Sequence, residues 1–297
     1  MMAADERNFR SAYYEKVGFR SVEEKKSLEI LLKEKPLDRG KLKQFCLRFC
    51  VPVAYRNLIW KLLLGVVPAH MECHSFVMDQ RRQEYNDLLH ALHILRVLDA
   101  NTPKPQMFFW MWLLQTSDFT YDTMIEEKGF IPIVQSLVQV FDDDTDVYWL
   151  ATKIYNNVVK FEVDIPKLTE CFYNLLEKED VVLFKHLQKS GILENLPVAK
   201  WFDCCFAGVL NETALGKIWD KLCAGSYKIL VYVIVALLMN LKHRLLKCTD
   251  INGFMQCIKN IPEETADVIA NKSIDMWQHY GSPLTVHDKP KSFETIS

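Results

Sequence analysis

The sequence predicts an all-α fold in which a single helical domain fills most of the chain. Apolar residues recur at helical spacing along nearly the whole chain, whereas no alternating run is bounded by hairpin turns. The 297 residues include only 10 glycines and 11 prolines, few for a loop-rich protein. Apolar residues make up 49% of the chain, enough for a large core. We predict roughly 13–16 helices in a domain spanning residues 21–281, with its core motifs between 50 and 240.

The regions outside this domain are predicted to be less regular. Residues 1–20 form a charged N-terminal segment, and the polar residues 282–297 are expected to be a mobile tail. The charged N-terminus lacks the apolar core of a secretion signal. We therefore expect a cytoplasmic location.

The predicted helices follow one another closely, and some carry boundary signals of their own. Ser21, followed three residues later by Glu24, forms a capping box at the first helix start. Gly65 ends the third helix, because glycine readily adopts the left-handed conformation found there. The predicted helices span residues 21–35, 38–52, 54–65, 79–101, 132–141, 145–160, 165–177, 179–189, 198–210, 212–223, 226–247, 250–258 and 263–278.

The most hydrophobic stretch, ILVYVIVALLMNL over residues 229–241, is expected to be a buried central helix. It is shorter than the roughly 20 apolar residues that a transmembrane helix needs. A helix that is apolar on every side must be buried on every side. We therefore place this segment at the centre of the domain and expect no transmembrane segment.

Composition and motifs exclude several classes of function. The net charge of −2 and the pI of 6.5 give no overall basic surface for nucleic acid. Nine cysteines are scattered without a CxxC pair, which favours free thiols. His70, Cys73 and His74 could ligate a metal, but a loop is the better interpretation because no second cluster accompanies them. No glycine-rich phosphate loop is present, so we do not expect the chain to bind a nucleotide. No cofactor or metal is expected.

Four segments, in chain order, carry a resemblance to a known family. They are VPVAYRNLIWKLLLG (51–65), FDDDTDVYWLATKIYNN (141–157), LPVAKWFDCCFAGVL (196–210) and ALGKIWDKLCAGSYKILVYVIVALL (214–238). The motif residues they contain are Arg56, Trp60, Trp149, Trp201, Trp219 and Asp220. Any one segment is a weak signal, whereas four in the right order are specific. Together they resemble the TBC domain, a helical family best known as activators of Rab GTPases.

Active TBC domains are similar in supplying two catalytic groups to the bound GTPase. One is an arginine in the motif I-x-x-D-x-x-R-T, and the other is a glutamine in Y-x-Q-G. A guanidinium neutralises charge on the transferring phosphoryl group, which contributes about 10³–10⁵ in rate. The glutamine amide can both donate and accept hydrogen bonds, so it can orient the attacking water.

The position that matches the arginine motif holds no arginine. In HILRVLDANTPKP, the arginine slot holds Asn101 if Thr102 is the motif threonine. It holds Thr102 if Asp99 is the motif aspartate. Arg96 lies more than a helical turn earlier. The resemblance therefore implies that the usual arginine is missing, although Asn101 is also an ordinary residue at a helix end.

The glutamine motif is also altered. In GFIPIVQSL, Phe130 replaces the tyrosine and Pro132 replaces the glutamine. Proline has neither a side-chain amide nor an N–H group, so it cannot position water by either route. Pro132 equally suits a first helical turn. Gln135 is the nearest amide, nearly a helical turn further on.

The segment MFFWMWLL over residues 107–114 leaves two interpretations open. It is apolar on every side, which favours burial in the core. Its aromatic and methionine side chains are also the types enriched in protein interfaces, which favours an exposed surface that docks a partner helix. The partner-binding candidates are Met107, Phe108, Trp110 and Trp112.

The resemblance extends along the whole chain to a short family member, the third subunit of the hamartin–tuberin (tuberous sclerosis) complex. It implies a non-catalytic subunit whose partner is the hamartin coiled coil, while tuberin activates GTP hydrolysis on Rheb and thereby restrains mTOR growth signalling. Two alternatives stay open. One is an active Rab GTPase-activating protein that uses Arg96 or Gln135 or relies on the glutamine of the GTPase itself. The other is a Rab effector without that activity. The resemblance also implies contact with vesicle or lysosomal membranes only through partners.

Overall fold

The all-α prediction is confirmed. The structure is a computed structural model that describes residues 22–99, 101–116 and 129–280. Within these ranges the chain forms helices and no named strand, and an isolated bridge joins Ala207 to Leu210.

The predicted domain limits are not tested at either end. The N-terminal segment 1–20, the capping residue Ser21 and the tail 282–297 lie outside the described residues. Their organisation stays a prediction.

Most helices form close to where the apolar periodicity places them, but the single helix predicted over 226–247 is divided at Leu241 into two helices. Three short 3₁₀ turns, Met71–Cys73, Glu162–Asp164 and Leu193–Asn195, join some of them. The α-helices are α1 Val22–Lys33, α2 Arg39–Arg48, α3 Val53–Leu63, α4 His74–Ile94, α5 Lys104–Thr116, α6 Phe130–Leu137, α7 Asp144–Phe161, α8 Ile165–Glu179, α9 Val181–Lys189, α10 Val198–Asp203, α11 Glu212–Cys223, α12 Ile229–Asn240, α13 Lys242–Leu245, α14 Ile251–Ile258 and α15 Glu263–Tyr280.

Helix α12 lies at the centre of the core, as predicted. Every residue from Ile229 to Leu238 is buried. The helix packs against α15 and α8, and Trp277 of α15 is fully buried. In the described part of the chain, no helix is both long and apolar enough to cross a membrane.

Helix α4 ends earlier than the periodicity predicts. Arg96 has a φ of 56°, in the left-handed region. The N–H of Val97 then bonds to the carbonyl of Leu92 at 3.2 Å, which closes the last turn back on itself. Glycine usually marks such an end, so an arginine there gives the sequence no stop signal.

Helix α10 is also shorter than predicted. Cys205 and Phe206 have φ values of 48° and 63°, which end the helix after Asp203. The indole N–H of Trp219 donates to the carbonyl of Cys205 at 3.0 Å. This turn therefore contacts α11, which is distant in the sequence. Local helix propensity gives no information about such a contact.

Candidate functional site

The two segments that the sequence analysis matched to the arginine and glutamine motifs lie before α5 and at the start of α6. Lys104 at the start of α5 pairs with Asp144 at the start of α7, with Nζ and Oδ1 separated by 2.8 Å. Arg82 of α4 reaches Asp143 with an Nη2–Oδ2 distance of 3.8 Å. These surface ion pairs join α4, α5 and the acidic start of α7 around the first slot.

The residues at the arginine slot form a turn that is held by hydrogen bonds to the Asp99 carboxylate. The N–H of Asn101 donates to Asp99 at 2.8 Å, and the hydroxyl of Thr102 donates to the same oxygen at 2.9 Å. These bonds, led by that from Asn101, lower the pKa of Asp99. The turn is an Asx turn of the kind that aspartate and threonine favour before a helix. Asn101 is exposed and carries no cationic group.

The glutamine slot lies in the first turn of α6. Phe130 is fully buried, and its ring lies 5.7 Å from that of Trp112. Pro132 is partly buried two residues further on, where its missing N–H costs no helical hydrogen bond. Gln135 is exposed on the same helix. Aromatic packing of Phe130 against Trp112 thus holds the start of α6. Pro132, the residue matched to the glutamine, has no side-chain amide.

Gly129 is required where α6 begins. Its N–H donates to the Asp203 carboxylate at 2.6 Å. A Cβ placed on Gly129 would lie 2.2 Å from the backbone oxygen of Asp203, far inside van der Waals contact. The sequence analysis did not single out this pair, because the two residues lie on different helices and only packing brings them together.

Substituting Gly129 with alanine is expected to lower the free energy of unfolding by about 1–3 kcal/mol, because the backbone of α10 must shift to admit the methyl group. Urea unfolding followed by circular dichroism would measure the change.

Gly253→Ala is the matched control for this substitution. A Cβ on Gly253 would meet its nearest neighbour at 3.5 Å, an ordinary contact, and alanine favours a helix over glycine. We expect Gly253→Ala to keep or raise stability. Equal stability of the two variants would contradict the close approach at Gly129.

The family motif residues on α3 and α11 form a buried polar network. Asp220 is fully buried and accepts hydrogen bonds from the Arg56 Nε at 3.2 Å and the Trp60 indole N–H at 2.9 Å. It also accepts the backbone N–H of Val51 at 2.8 Å. The carboxylate therefore joins α11 to the start of α3. This network holds the fold together and does not face solvent.

Lys221, next to Asp220, completes this joint. Its Nζ donates to the carbonyls of Cys46 and Phe49, both at 2.6 Å, and the side chain is fully buried. Lys221 was not recognised from the sequence, because a lysine between Asp220 and Leu222 gives no local sign that it is buried.

Two other motif tryptophans lie elsewhere in the core. The Trp149 indole donates to the carbonyl of Arg81 at 3.1 Å, and the Arg81 guanidinium lies 4.2 Å from the ring centroid. Trp201 stacks on Phe206 with a centroid distance of 5.9 Å. The structure therefore gives these residues packing roles.

The partner-binding candidates on α5 are mostly covered by the chain itself. Phe108 is fully buried, and Trp110 and Trp112 are 9% and 8% exposed. The indole of Trp112 donates to Asn156 of α7 at 2.8 Å. Of the four candidates, Met107 alone is partly exposed. These positions fit the core interpretation for three side chains and leave Met107 as the candidate partner contact.

The loop predicted for the HMECH residues is instead a 3₁₀ turn, Met71–Cys73, followed by the first residue of α4, and the two histidines make separate contacts. His70 pairs with Glu72 at 3.0 Å, whereas His74 contacts the carbonyl of Pro68 at 2.8 Å. In the described part of the chain, no three histidine, cysteine or acidic side chains are grouped so that they could hold a metal.

Comparisons with known proteins agree with these motifs. Residues 127–246 match the family model of the Rab-GTPase-TBC domain. The crystal structure of the Ypt/Rab-GAP domain of Gyp1p superposes with a TM-score of 0.63 at 16% identity, covering 87% of this chain and 99% of that chain. At this identity the likeness shows the fold alone.

Relatives from four species carry the name TBC1 domain family member 7. The protein from Xenopus tropicalis is 43% identical over 289 residues, which cover 95% of this chain and 99% of the relative. The Homo sapiens protein is 39% identical over 290 residues, which cover 96% and 99%. Identity at this level over almost the full length of each relative means that the chain belongs to the TBC domain family of small-GTPase regulators.

Proposed function

We propose that this chain is a TBC-domain subunit that takes part in small-GTPase regulation without supplying catalytic groups. The observation that carries the proposal is the state of the two slots. Asn101 lies in a turn closed by Asp99, and Pro132 offers neither an amide nor an N–H. Without a guanidinium and a water-orienting amide, the chain lacks both groups by which this family accelerates GTP hydrolysis.

The cations near the first slot support this proposal. Lys104 pairs with Asp144, and Arg82 pairs with Asp143 and its helical neighbour Asp79. Arg96 is exposed and forms no ion pair with any residue in the described ranges. Arg96 and the exposed amide of Gln135 are therefore the groups to test in the alternative of an active but non-standard enzyme.

The partner we propose is the hamartin coiled coil, bound together with tuberin. The proposal rests on the resemblance to the short subunit of that complex, and the relatives matched over 99% of their length support it. In this arrangement tuberin activates GTP hydrolysis on Rheb, which restrains mTOR signalling. We propose a cytoplasmic location, with vesicle or lysosomal membranes reached through these partners.

Single-turnover GTP hydrolysis tests the absence of catalysis. The purified chain should leave the hydrolysis rate of each member of a Rab panel, and of Rheb, unchanged. Arg96→Ala and Gln135→Ala should behave as wild type, because neither side chain takes part. An acceleration of about 10³ or more that either variant abolishes would establish an active enzyme instead.

A binding measurement distinguishes the proposed subunit function from the alternative of a Rab effector. When the chain is mixed with the hamartin coiled coil, light scattering should report a particle whose molar mass is larger than that of the chain alone. Binding that appears only with GTP-loaded Rab, without any effect on hydrolysis and without a hamartin complex, would favour the effector function.

A further inference from the structure

Two cysteine sulfur atoms are in contact where α13 leads into α14. Cys248 follows α13, and Cys257 lies on α14. Their Sγ atoms are 3.6 Å apart, which is van der Waals contact. Cys248 is buried, whereas Cys257 is partly exposed. One sulfur of the pair is therefore open to a small oxidant and the other lies directly behind it.

Neighbouring groups hold Cys248 in place. Its carbonyl accepts a hydrogen bond from the His186 imidazole on α9 at 3.0 Å, and its thiol donates to the carbonyl of Arg244 at 3.5 Å. These contacts anchor the residue to two helices besides α14. The position of its sulfur is thus set by the fold.

The start of α14 is fixed as well. Asp250 caps the helix by accepting the N–H of Gly253 at 2.7 Å. The capped helix carries Cys257 back toward Cys248. The short segment between the two cysteines, held by the Asp250 cap, therefore brings their sulfur atoms into contact.

We propose that Cys248 and Cys257 form an oxidation site that peroxides convert to an intrachain disulfide. The Cys257 thiolate attacks one peroxide oxygen of hydrogen peroxide, forming a sulfenic acid, and the hydroxide that leaves takes up the proton lost by the thiol. The Cys248 sulfur then attacks the sulfenic sulfur, the S–S bond forms and a second water leaves. In total, two thiols and one hydrogen peroxide give one disulfide and two waters.

Cys257 is more exposed than Cys248, as the proposed order of reaction requires. Burial, together with the neighbouring Cys257 thiol, raises the pKa of Cys248 to about 11. Cys248 therefore stays protonated at neutral pH and is a poor first attacker, since the thiolate is the nucleophile. Cys257 is the more accessible sulfur and reacts first, and Cys248 resolves the sulfenic acid that it touches.

The test is peptide mapping of the full chain after brief treatment with hydrogen peroxide. Dimedone traps sulfenic acids, and free thiols are alkylated before digestion. We expect the single tryptic peptide that contains both Cys248 and Cys257 to be about 2 Da lighter than its reduced form and to resist alkylation until dithiothreitol is added. The exposed thiols Cys73 and Cys171 serve as internal controls and should accumulate dimedone adducts instead.

Two single variants check the order of reaction. In Cys248→Ala, Cys257 should keep its sulfenic acid and gain a dimedone adduct. In Cys257→Ser, Cys248 should stay unmodified. Circular dichroism of each variant confirms that the fold is intact. A wild-type Cys257 that collects as much dimedone as Cys171, with no disulfide-containing peptide, would overturn the proposal.

Discussion

Replacing Asp220 with asparagine is expected to lower the free energy of unfolding by about 3–5 kcal/mol, because it leaves a buried charge without its partner. The carboxylate pairs with the Arg56 guanidinium and accepts the N–H groups of Trp60 and Val51. The single side-chain oxygen of asparagine cannot accept hydrogen bonds from Arg56, Trp60 and Val51 together. The NH₂ group of asparagine would point at one of these N–H donors, with which it cannot form a hydrogen bond. Urea unfolding monitored by circular dichroism would give the difference.

The matched control is Asp267→Asn at the Lys217–Asp267 pair. Lys217 lies on the same helix as Asp220, but Asp267 is 39% exposed, so water solvates both partners. We expect a change within about 1 kcal/mol. If both variants lost the same small amount, the buried network would not be a main source of stability.

Replacing Phe108 with alanine is expected to cost about 3–5 kcal/mol, because a fully buried ring would leave a cavity. The ring meets Tyr85 at 5.8 Å and Tyr148 at 5.7 Å between centroids, both edge to face. The loss would therefore weaken contacts of α5 with α4 and with α7. The measurement is the urea midpoint, with binding of a hydrophobic dye as a check for loosened packing.

Met107→Ala separates the core interpretation of α5 from the interface interpretation. Met107 precedes Phe108 and is partly exposed, so its truncation should cost less stability. If Met107 belongs to the partner surface, the variant should stay folded and retain less hamartin coiled coil in a pulldown. Unchanged binding by folded Met107→Ala would remove α5 from the candidate partner surface.

Several features could be predicted because they depend on residues close together in the chain. The apolar run around Ile229 needed no partner to be recognised as a central helix, and ten consecutive buried residues confirm it. The proposal that the two motif positions lack an arginine and a glutamine also rests on short segments, and it stays a prediction. The motif residues Arg56, Trp60 and Asp220 were recognised from the family pattern.

Other features depend on which helix lies next to which. The segment from Met107 to Leu114 suited both a core and an interface, and only the packing of neighbouring helices buried Phe108. The end of α4 was missed for a local reason, because Arg96 adopts the left-handed conformation although it is not a glycine. Residue type alone therefore could not predict this boundary.

The sequence by itself determined the all-α class and the family motifs in their order, and it led to the proposal that both catalytic residue types are missing. Only the tertiary structure decided that Asp220 joins α3 to α11, that Gly129 touches the backbone of Asp203, and that the Cys248 and Cys257 sulfurs meet. The physical reason is that periodicity and side-chain chemistry are properties of neighbouring residues. Burial and contact are set instead by how distant segments pack, and no single segment carries that information.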